Sequence, residues 1–193
     1  MKQLVVVLIL LAQTVSAQVA IPVAQMVFPS FAGAESVVMS STGNELRCWV
    51  LPSPHTVVNA TQLSFGVVTA VGGSTCSIGL YTDSDSTSGT LLLGSASAED
   101  CSTAGAKNSV AAAVTITAGT AYRLCMCSSS ATSQAKSVGI DASSGERVTD
   151  MLNSGVNRSG VYAQACSSGT LPSGTGAQTS QATFAPPLVV IEQ

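Results

Sequence analysis

Six cysteines are the residues of this sequence whose type and number most clearly indicate chemistry. An even number of cysteines in an exported chain is typical of disulfide bonds. Cys76 begins one predicted strand and Cys101 follows the next, so antiparallel pairing across the intervening turn would bring these two ends together. We therefore expect a Cys76–Cys101 disulfide. Buried free thiols are the alternative, since a free cysteine packs as a small hydrophobic residue.

Cys125 and Cys127 are two residues apart on one predicted strand, so they share a face and are poorly placed to bond each other. Cys48 and Cys166 are the remaining partners, in an order that the sequence leaves open. Both Cys125 and Cys127 lie opposite the apolar face of their strand, so their partners would have to lie on the outer side or in a covering loop. A Cys-x-Cys pair lacks the usual spacing of a structural zinc site, so we expect no metal there.

Few residues of the sequence are suited to catalysis. A nucleophilic triad usually needs a histidine as its general base, and the single histidine, His55, lies in a proline-rich turn. The serines are numerous, but none stands in a Gly-x-Ser-x-Gly motif. We therefore expect no catalytic residues and no enzyme, with a secreted hydrolase as the disfavoured alternative.

Asp83 and Asp85 lie close together in a serine-rich turn. Paired carboxylates can hydrolyse glycosides, and carboxylate oxygens can bind calcium, which makes these two residues weak calcium candidates. Asp and Ser also stabilise turns through local hydrogen bonds, and the EF-hand spacing is absent. We favour the turn-stabilising interpretation and expect neither a metal nor a cofactor.

Aromatic residues make up only 4% of the chain. Tyr81 lies opposite the apolar face of its predicted strand, so we expect it to be exposed, where its ring could stack on a sugar. Trp49 alternates with apolar residues, so the side of the strand to which it points is ambiguous. A single tryptophan on a strand is more often a core residue than a binding platform. Tyr81 and Trp49 are the candidate ligand-binding residues. Asn59 and Asn157 begin Asn-x-Ser/Thr sequons and are candidate N-glycosylation sites.

The N-terminus has the pattern of a secretory signal peptide. Lys2 is followed by the apolar run Leu4–Ala12 and by Val15-Ser16-Ala17, a small-residue cleavage site. The apolar run is much shorter than the roughly 20 residues that span a bilayer, so we expect no membrane span in the mature form. The sequence thus predicts a leader over residues 1–17 and a single domain over residues 18–193, secreted or held at the cell surface.

The apolar residues recur with the period of two that is typical of strands. Alternation of this kind runs through Thr61–Val71, Thr75–Thr82, Val110–Ile116 and Tyr122–Met126. We expect Val110, Ala112, Val114 and Ile116 to share one inward face. Further candidate strands are Val19–Phe28, Leu46–Leu51, Thr90–Ala98, Val161–Ala165 and Leu188–Ile191.

The turns between these strands are rich in Gly and Ser, which predicts an all-β, antiparallel β-sandwich with disulfides, similar to a jelly roll, in which each sheet has one buried and one wet face. Two segments depart from the strand pattern. Ser143–Asn157 is expected to be a loop with one helical turn, and Ser167–Thr183 a long surface loop.

Three segments resemble β-sandwich modules of bacteriophage tail and virion proteins and of some bacterial surface proteins. These are Gly79–Thr82, Gly89–Leu93 and Val114–Leu124, within a similarity that covers about Leu63 to Met126. The resemblance implies a jelly-roll-like sandwich whose role is attachment or recognition of surfaces, often glycans, and it carries over no catalytic residue. The predicted leader departs from the virion proteins and indicates a cell-encoded, exported relative.

Charged residues make up only 9% of the chain, and the basic residues are scattered. Such a pattern predicts no nucleic-acid partner. We expect a secreted, non-enzymatic recognition or adhesion module whose partner is an extracellular glycan or another surface ligand. The alternative is a structural subunit of a homo-oligomer, filament or coat, assembled through the apolar segment Gln18–Phe28, which could complete a neighbour's sheet.

Overall fold

The computed structural model describes residues 36–52, 56–83, 88–94, 97–137, 160–181 and 187–193. The described residues form twelve strands and no helix: β1 Ser36–Val38, β2 Leu46–Pro52, β3 Val57–Thr69, β4 Thr75–Thr82, β5 Leu91–Gly94, β6 Glu99–Asp100, β7 Gly105–Ile116, β8 Ala121–Ser128, β9 Gln134–Lys136, β10 Gly160–Tyr162, β11 Gln178–Gln181 and β12 Val189–Glu192. Within this part of the chain there is accordingly no helix long and apolar enough to cross a membrane.

The predicted all-β, antiparallel sandwich with disulfides is confirmed. Some predictions fall on residues that the structure does not describe, and these stay predictions: the leader, the strand over Val19–Phe28, His55, Asp85, the segment Ser143–Asn157 and its Asn157.

The strands form two antiparallel sheets. In the first sheet, β3 is central: β7 pairs along one edge, β9 and β12 pair along the other, and β1 pairs with β9. The second sheet has the order β11-β10-β2-β8-β4-β5, with β6 also paired to β4. The five strands of seven or more residues, β2, β3, β4, β7 and β8, alternate between the two sheets along the chain. Successive long strands therefore face each other across the core.

The core between the sheets is built from the residues that alternate inward. The first sheet contributes Leu63, Phe65 and Ile191, and the second contributes Ile78, Leu124 and Met126, among others. Burial of apolar surface of this kind stabilises the fold by roughly 25 cal/mol per Å². Because these alternating residues of β3, β4 and β8 lie in the core, the inward faces predicted for the three strands are confirmed.

The inward face predicted for β7 is wrong in part. Ile116 is buried and Val114 is half-buried, but Ala112 is exposed and Val110 is 58% exposed. Between the pairs Ala60–Val114 and Gln62–Val110, three residues of β7 lie opposite a single residue of β3. This bulge reverses the alternation, so Ser109 takes the inward position instead. Within the described part of the chain, the buried Ser109 hydroxyl has no hydrogen-bond partner.

The centre of the second sheet, formed by β4 and β8, is buried on both faces, which corrects the expectation of one wet face per sheet. Residues 163–177, here called the cover, connect β10 to β11 and pack on the outer face of β4 and β8. Leu171 of the cover sits over Gly79 and Gly94, where a β-carbon on Gly79 would lie only 2.5 Å from the Leu171 side chain. The segment Ser167–Thr183, expected to be a surface loop, thus contains buried residues and the strand β11.

Three disulfides stabilise this arrangement. Cys76 pairs with Cys101, because β6 places Glu99 opposite Cys76 at the start of β4. The order that the sequence left open is Cys48–Cys125 and Cys127–Cys166. Described residues include no free cysteine.

The last two bridges lie on the outer face of the second sheet. Cys48 and Cys125 are direct neighbours on β2 and β8, with Cα atoms 4.0 Å apart, close to the spacing of a non-hydrogen-bonded antiparallel pair. Cys166 belongs to the cover, so its bond to Cys127 attaches the cover to the sheet.

Candidate functional site

The two aromatic residues proposed as a ligand platform are both buried. Tyr81 has no exposed surface, and its hydroxyl donates a hydrogen bond to the carbonyl oxygen of Pro172 in the cover, at 2.7 Å. Burial raises the pKa of Tyr81 well above its ordinary value, because the phenolate would be desolvated. The expected exposure of Tyr81 is wrong, since the cover occupies the surface where a sugar would have to stack.

Trp49 points into the core between the sheets and is 1% exposed. Its neighbour Cys48 points to the opposite side, which decides the alternation that the sequence left ambiguous. Neither Trp49 nor Tyr81 can contact a ligand from these positions.

Asp83, expected from the sequence to stabilise a turn and otherwise a weak calcium candidate, takes part in a buried ion pair. Its Oδ1 lies 2.9 Å from Nε of Arg123, and both side chains are 1% exposed. Arg123 also donates from Nη1 to Thr175 Oγ1 at 3.0 Å and lies over the Tyr162 ring, 4.9 Å from its centroid. The hydrogen bond to Thr175 joins β8 to the cover, and the ring contact joins β8 to β10. Among the described side chains, no group of three metal-ligating residues occurs.

Asn59, the described member of the two sequon asparagines, is exposed on β3 of the first sheet.

The outer face of the first sheet, unlike the covered centre of the second, carries residues that are exposed or half-buried. The first sheet buries Leu63 of β3, Ile191 of β12 and Ser109 of β7 on its inner side. The residues that flank each of them along its own strand therefore point outward.

Six outward residues form a contiguous patch on three neighbouring strands, here called the outer patch. Pairing across β7, β3 and β12 sets Val110, Gln62 and Glu192 in one row. The next row contains Asn108, Ser64 and Val190. All six are exposed or half-buried, and Val110 is among the most exposed large hydrophobic residues that the structure describes.

Side-chain hydrogen bonds hold the polar residues of the outer patch in place. Gln62 Nε2 donates to Glu192 Oε2 at 3.0 Å and to Ser64 Oγ at 3.1 Å. Ser64 Oγ donates to Glu192 Oε1 at 2.6 Å. Each carboxylate oxygen thus receives one protein donor, and a carboxylate offers about four acceptor positions, so acceptor positions remain for a ligand.

A second polar group continues this surface toward the other end of the sheet. Ser36 Oγ and Thr69 Oγ1 both donate to Gln134 Oε1, at 2.7 and 3.1 Å. Lys136 lies exposed beside Gly66, between this group and the outer patch. A face with acceptors at one end, a cation further along and Gly66 beside that cation suits a ligand with many hydroxyl groups.

Sequence reasoning missed the outer patch. The outward orientation of Gln62 and Ser64 follows from their alternation with Leu63 and Phe65, which the sequence does show. Their contact with Glu192 joins residues 128 and 130 positions apart in the chain, and a single sequence carries no signal for it.

Comparison with known proteins finds no matching family model, no matching curated protein and no matching solved structure. The resemblance to phage and bacterial surface modules is therefore supported only by the all-β, antiparallel architecture that they share with this chain.

Proposed function

We propose that this chain is a secreted, non-enzymatic recognition module that binds a glycan or another hydroxyl-rich surface ligand through the outer patch of its first sheet. The observation that carries the proposal is the hydrogen-bonded set Gln62, Ser64 and Glu192 on an outward face, next to the exposed Val110.

The chemistry of this set suits a sugar. Adjacent ring hydroxyls present two donors side by side, and the two oxygens of Glu192 present two acceptors at a similar spacing. Hydrogen bonds to a charged acceptor are worth about 1.5–3 kcal/mol, which is more than those between neutral groups. Val110 and Val190 offer apolar contact for the C–H groups of the ring.

The arrangement also predicts weak binding at each site. The two aromatic residues that could have stacked on a sugar are buried, so only non-aromatic side chains remain on the outer patch to contact a ring. Attachment to a surface would then depend on several copies or several ligands, because linked weak sites gain avidity without new contacts.

The experiment is a glycan array probed with multivalent, fluorescently labelled protein, with Glu192→Gln as the variant. This substitution keeps the shape of the side chain and removes its charge. We expect the affinity for the bound glycan to fall about tenfold, the equivalent of roughly 1.4 kcal/mol. Loss of binding should be seen as loss of array signal and, for the best ligand, by titration calorimetry.

Asp100→Asn is the matched control, because it removes the same charge from an exposed carboxylate on β6 of the second sheet. It should bind like the parent protein. Equal binding by the parent, Glu192→Gln and Asp100→Asn, or no binding to any hydroxyl-rich ligand, would contradict the proposal.

A second candidate function is a structural subunit of a filament or coat. In the described part of the chain, β12 pairs with β3 alone, so one edge of β12 offers backbone groups to an added strand. The segment Gln18–Phe28, outside the described residues, has the apolar alternation of such a strand.

Size-exclusion chromatography and negative-stain microscopy test this second candidate. If assembly operates, the chain forms polymers, and deletion of residues 18–28 leaves a folded monomer. A chain that stays monomeric at high concentration would exclude it, and so would a deletion that unfolds the domain.

A further inference from the structure

Asn59 begins the sequon Asn59-Ala60-Thr61, and the outer-patch function makes no use of it. The predicted leader would carry the chain through a secretory compartment, where such sequons can be modified. A sequon alone is a weak indication, so the local structure of β3 decides how well a glycan would be accommodated here.

The backbone at Asn59 forms a bulge in the pairing of β3 with β7. Val57 lies opposite Ile116, and Ala60 lies opposite Val114, so Val58 and Asn59 together oppose the single residue Thr115. A bulge of this kind leaves one residue outside the regular ladder and bends the strand locally.

The conformation at the bulge suits asparagine. Asn59 has a φ of 55°, in the left-handed region that asparagine enters more readily than other residues with a β-carbon. The neighbouring Ala60 is fully buried, whereas Asn59 and Val58 are exposed, Val58 by 51%. The sequon therefore has its small middle residue in the core and its acceptor side chain in solvent.

We propose that Asn59 is an N-glycosylation site of this protein, occupied during export. The acceptor Nδ2 of Asn59 forms a bond to the anomeric carbon of an oligosaccharide linked to lipid pyrophosphate. The lipid pyrophosphate leaves with the electron pair of the broken glycosidic bond, and the displaced amide proton passes to the transferase. The attached glycan projects from the bulge and displaces no buried side chain.

The test expresses the full chain with its leader in a eukaryotic secretory host and measures its intact mass before and after treatment with peptide N-glycosidase. The experiment uses an Asn157→Gln background, so that a sequon-dependent glycan reports on Asn59. Thr61→Ser retains the sequon and Thr61→Ala destroys it, which gives two variants with similarly small changes at one half-buried position.

We expect the Asn157→Gln protein and its Thr61→Ser form to lose mass on enzyme treatment, with peptide mapping placing the modification at Asn59. The Thr61→Ala form should be secreted at the unmodified mass. Circular dichroism shows whether the Thr61→Ser and Thr61→Ala forms are folded. If Thr61→Ala does not fold, the mass of the Thr61→Ser form still tests the proposal.

Two results would overturn the proposal. One is an unmodified mass for secreted, folded Asn157→Gln and Thr61→Ser proteins from cells that glycosylate a co-expressed sequon protein. The other is an enzyme-sensitive glycan that persists in the Thr61→Ala form.

Discussion

The outer faces of the two sheets differ in what covers them. On the second sheet, the cover buries Tyr81, Cys125 and Cys127 beneath Leu171 and Cys166. On the first sheet, Gln62, Ser64 and Glu192 lie at the surface and bond to each other.

Under the proposed function, this difference assigns stability to the covered face and ligand recognition to the open face. The covered face concentrates two disulfides, a buried ion pair and a buried tyrosine, and disrupting any of these should destabilise the fold markedly. We expect substitutions of the side chains on the open face to change stability little, because such surface substitutions usually do. Variants on the covered face should therefore lower stability, and variants on the open face should lower ligand binding with little change in stability.

Arg123→Ala should have the largest effect. It leaves Asp83 buried without its ion-pair partner, and breaking such a pair typically lowers the free energy of unfolding by about 3–5 kcal/mol. Urea denaturation followed by circular dichroism measures the loss.

The double variant Asp83→Leu with Arg123→Leu is the control, because it removes both charges together. It should be more stable than Arg123→Ala, since no unpaired charge remains buried. If Arg123→Ala unfolds at the parental urea concentration, the ion pair does not stabilise the fold.

Removal of the Cys127–Cys166 bridge, by Ala at both positions, should cost roughly 2–4 kcal/mol. The cover would then be attached to β8 only by non-covalent contacts, so a protease specific for apolar residues should cleave beside Leu171. Limited proteolysis with mass spectrometry detects this cleavage.

Ala at both Cys48 and Cys125 is the comparison for this variant. These residues join two paired strands and lie beneath the cover, so the cover should stay resistant to protease. Equal cleavage of the two double variants would show that Cys166 does not hold the cover in place.

Tyr81→Phe should cost about 1 kcal/mol at neutral pH, because the half-buried carbonyl of Pro172 loses its donor. The raised pKa of Tyr81 adds a pH dependence. Above the ordinary tyrosine pKa of about 10, the unfolded state loses the proton while the folded state retains it, so the stability of the parent falls as the pH rises. Tyr81→Phe lacks this contribution. In thermal melts from pH 8 to pH 11, the difference in melting temperature between the parent and Tyr81→Phe should therefore become smaller as the pH rises. A constant difference across that range would contradict the assignment.

Glu192→Gln should have the smallest effect on stability, within about 0.5 kcal/mol, because surface substitutions usually stay in that range. The same variant should have the clearest effect on ligand binding. Thermal melts measured beside the array experiment make the comparison, and a large loss of stability would mean that the outer patch is structural.

Much of the fold could be predicted from period-two alternation. The inner faces of β3, β4 and β8 follow from it, because a strand with one apolar face has one way to bury that face. The prediction failed at β7, where three residues of one strand face one of its partner, and alternation read from one strand cannot detect such a bulge.

The candidate site was much less accessible to sequence reasoning. The aromatic residues singled out as ligand contacts are buried, Trp49 in the core between the sheets and Tyr81 beneath a segment about 90 residues further along the chain. The polar residues that do meet on the open face come from positions about 130 residues apart. Neither contact has a local signature.

By itself, the sequence determined the all-β class and the alternation of most strands, since these depend on neighbouring residues and on local burial. Only the tertiary structure decided which cysteine joins Cys125, which face of the sandwich is covered, and that Asp83 meets Arg123. Those outcomes depend on where distant segments pack, and packing is settled by the shape and burial of the whole chain rather than by any one strand.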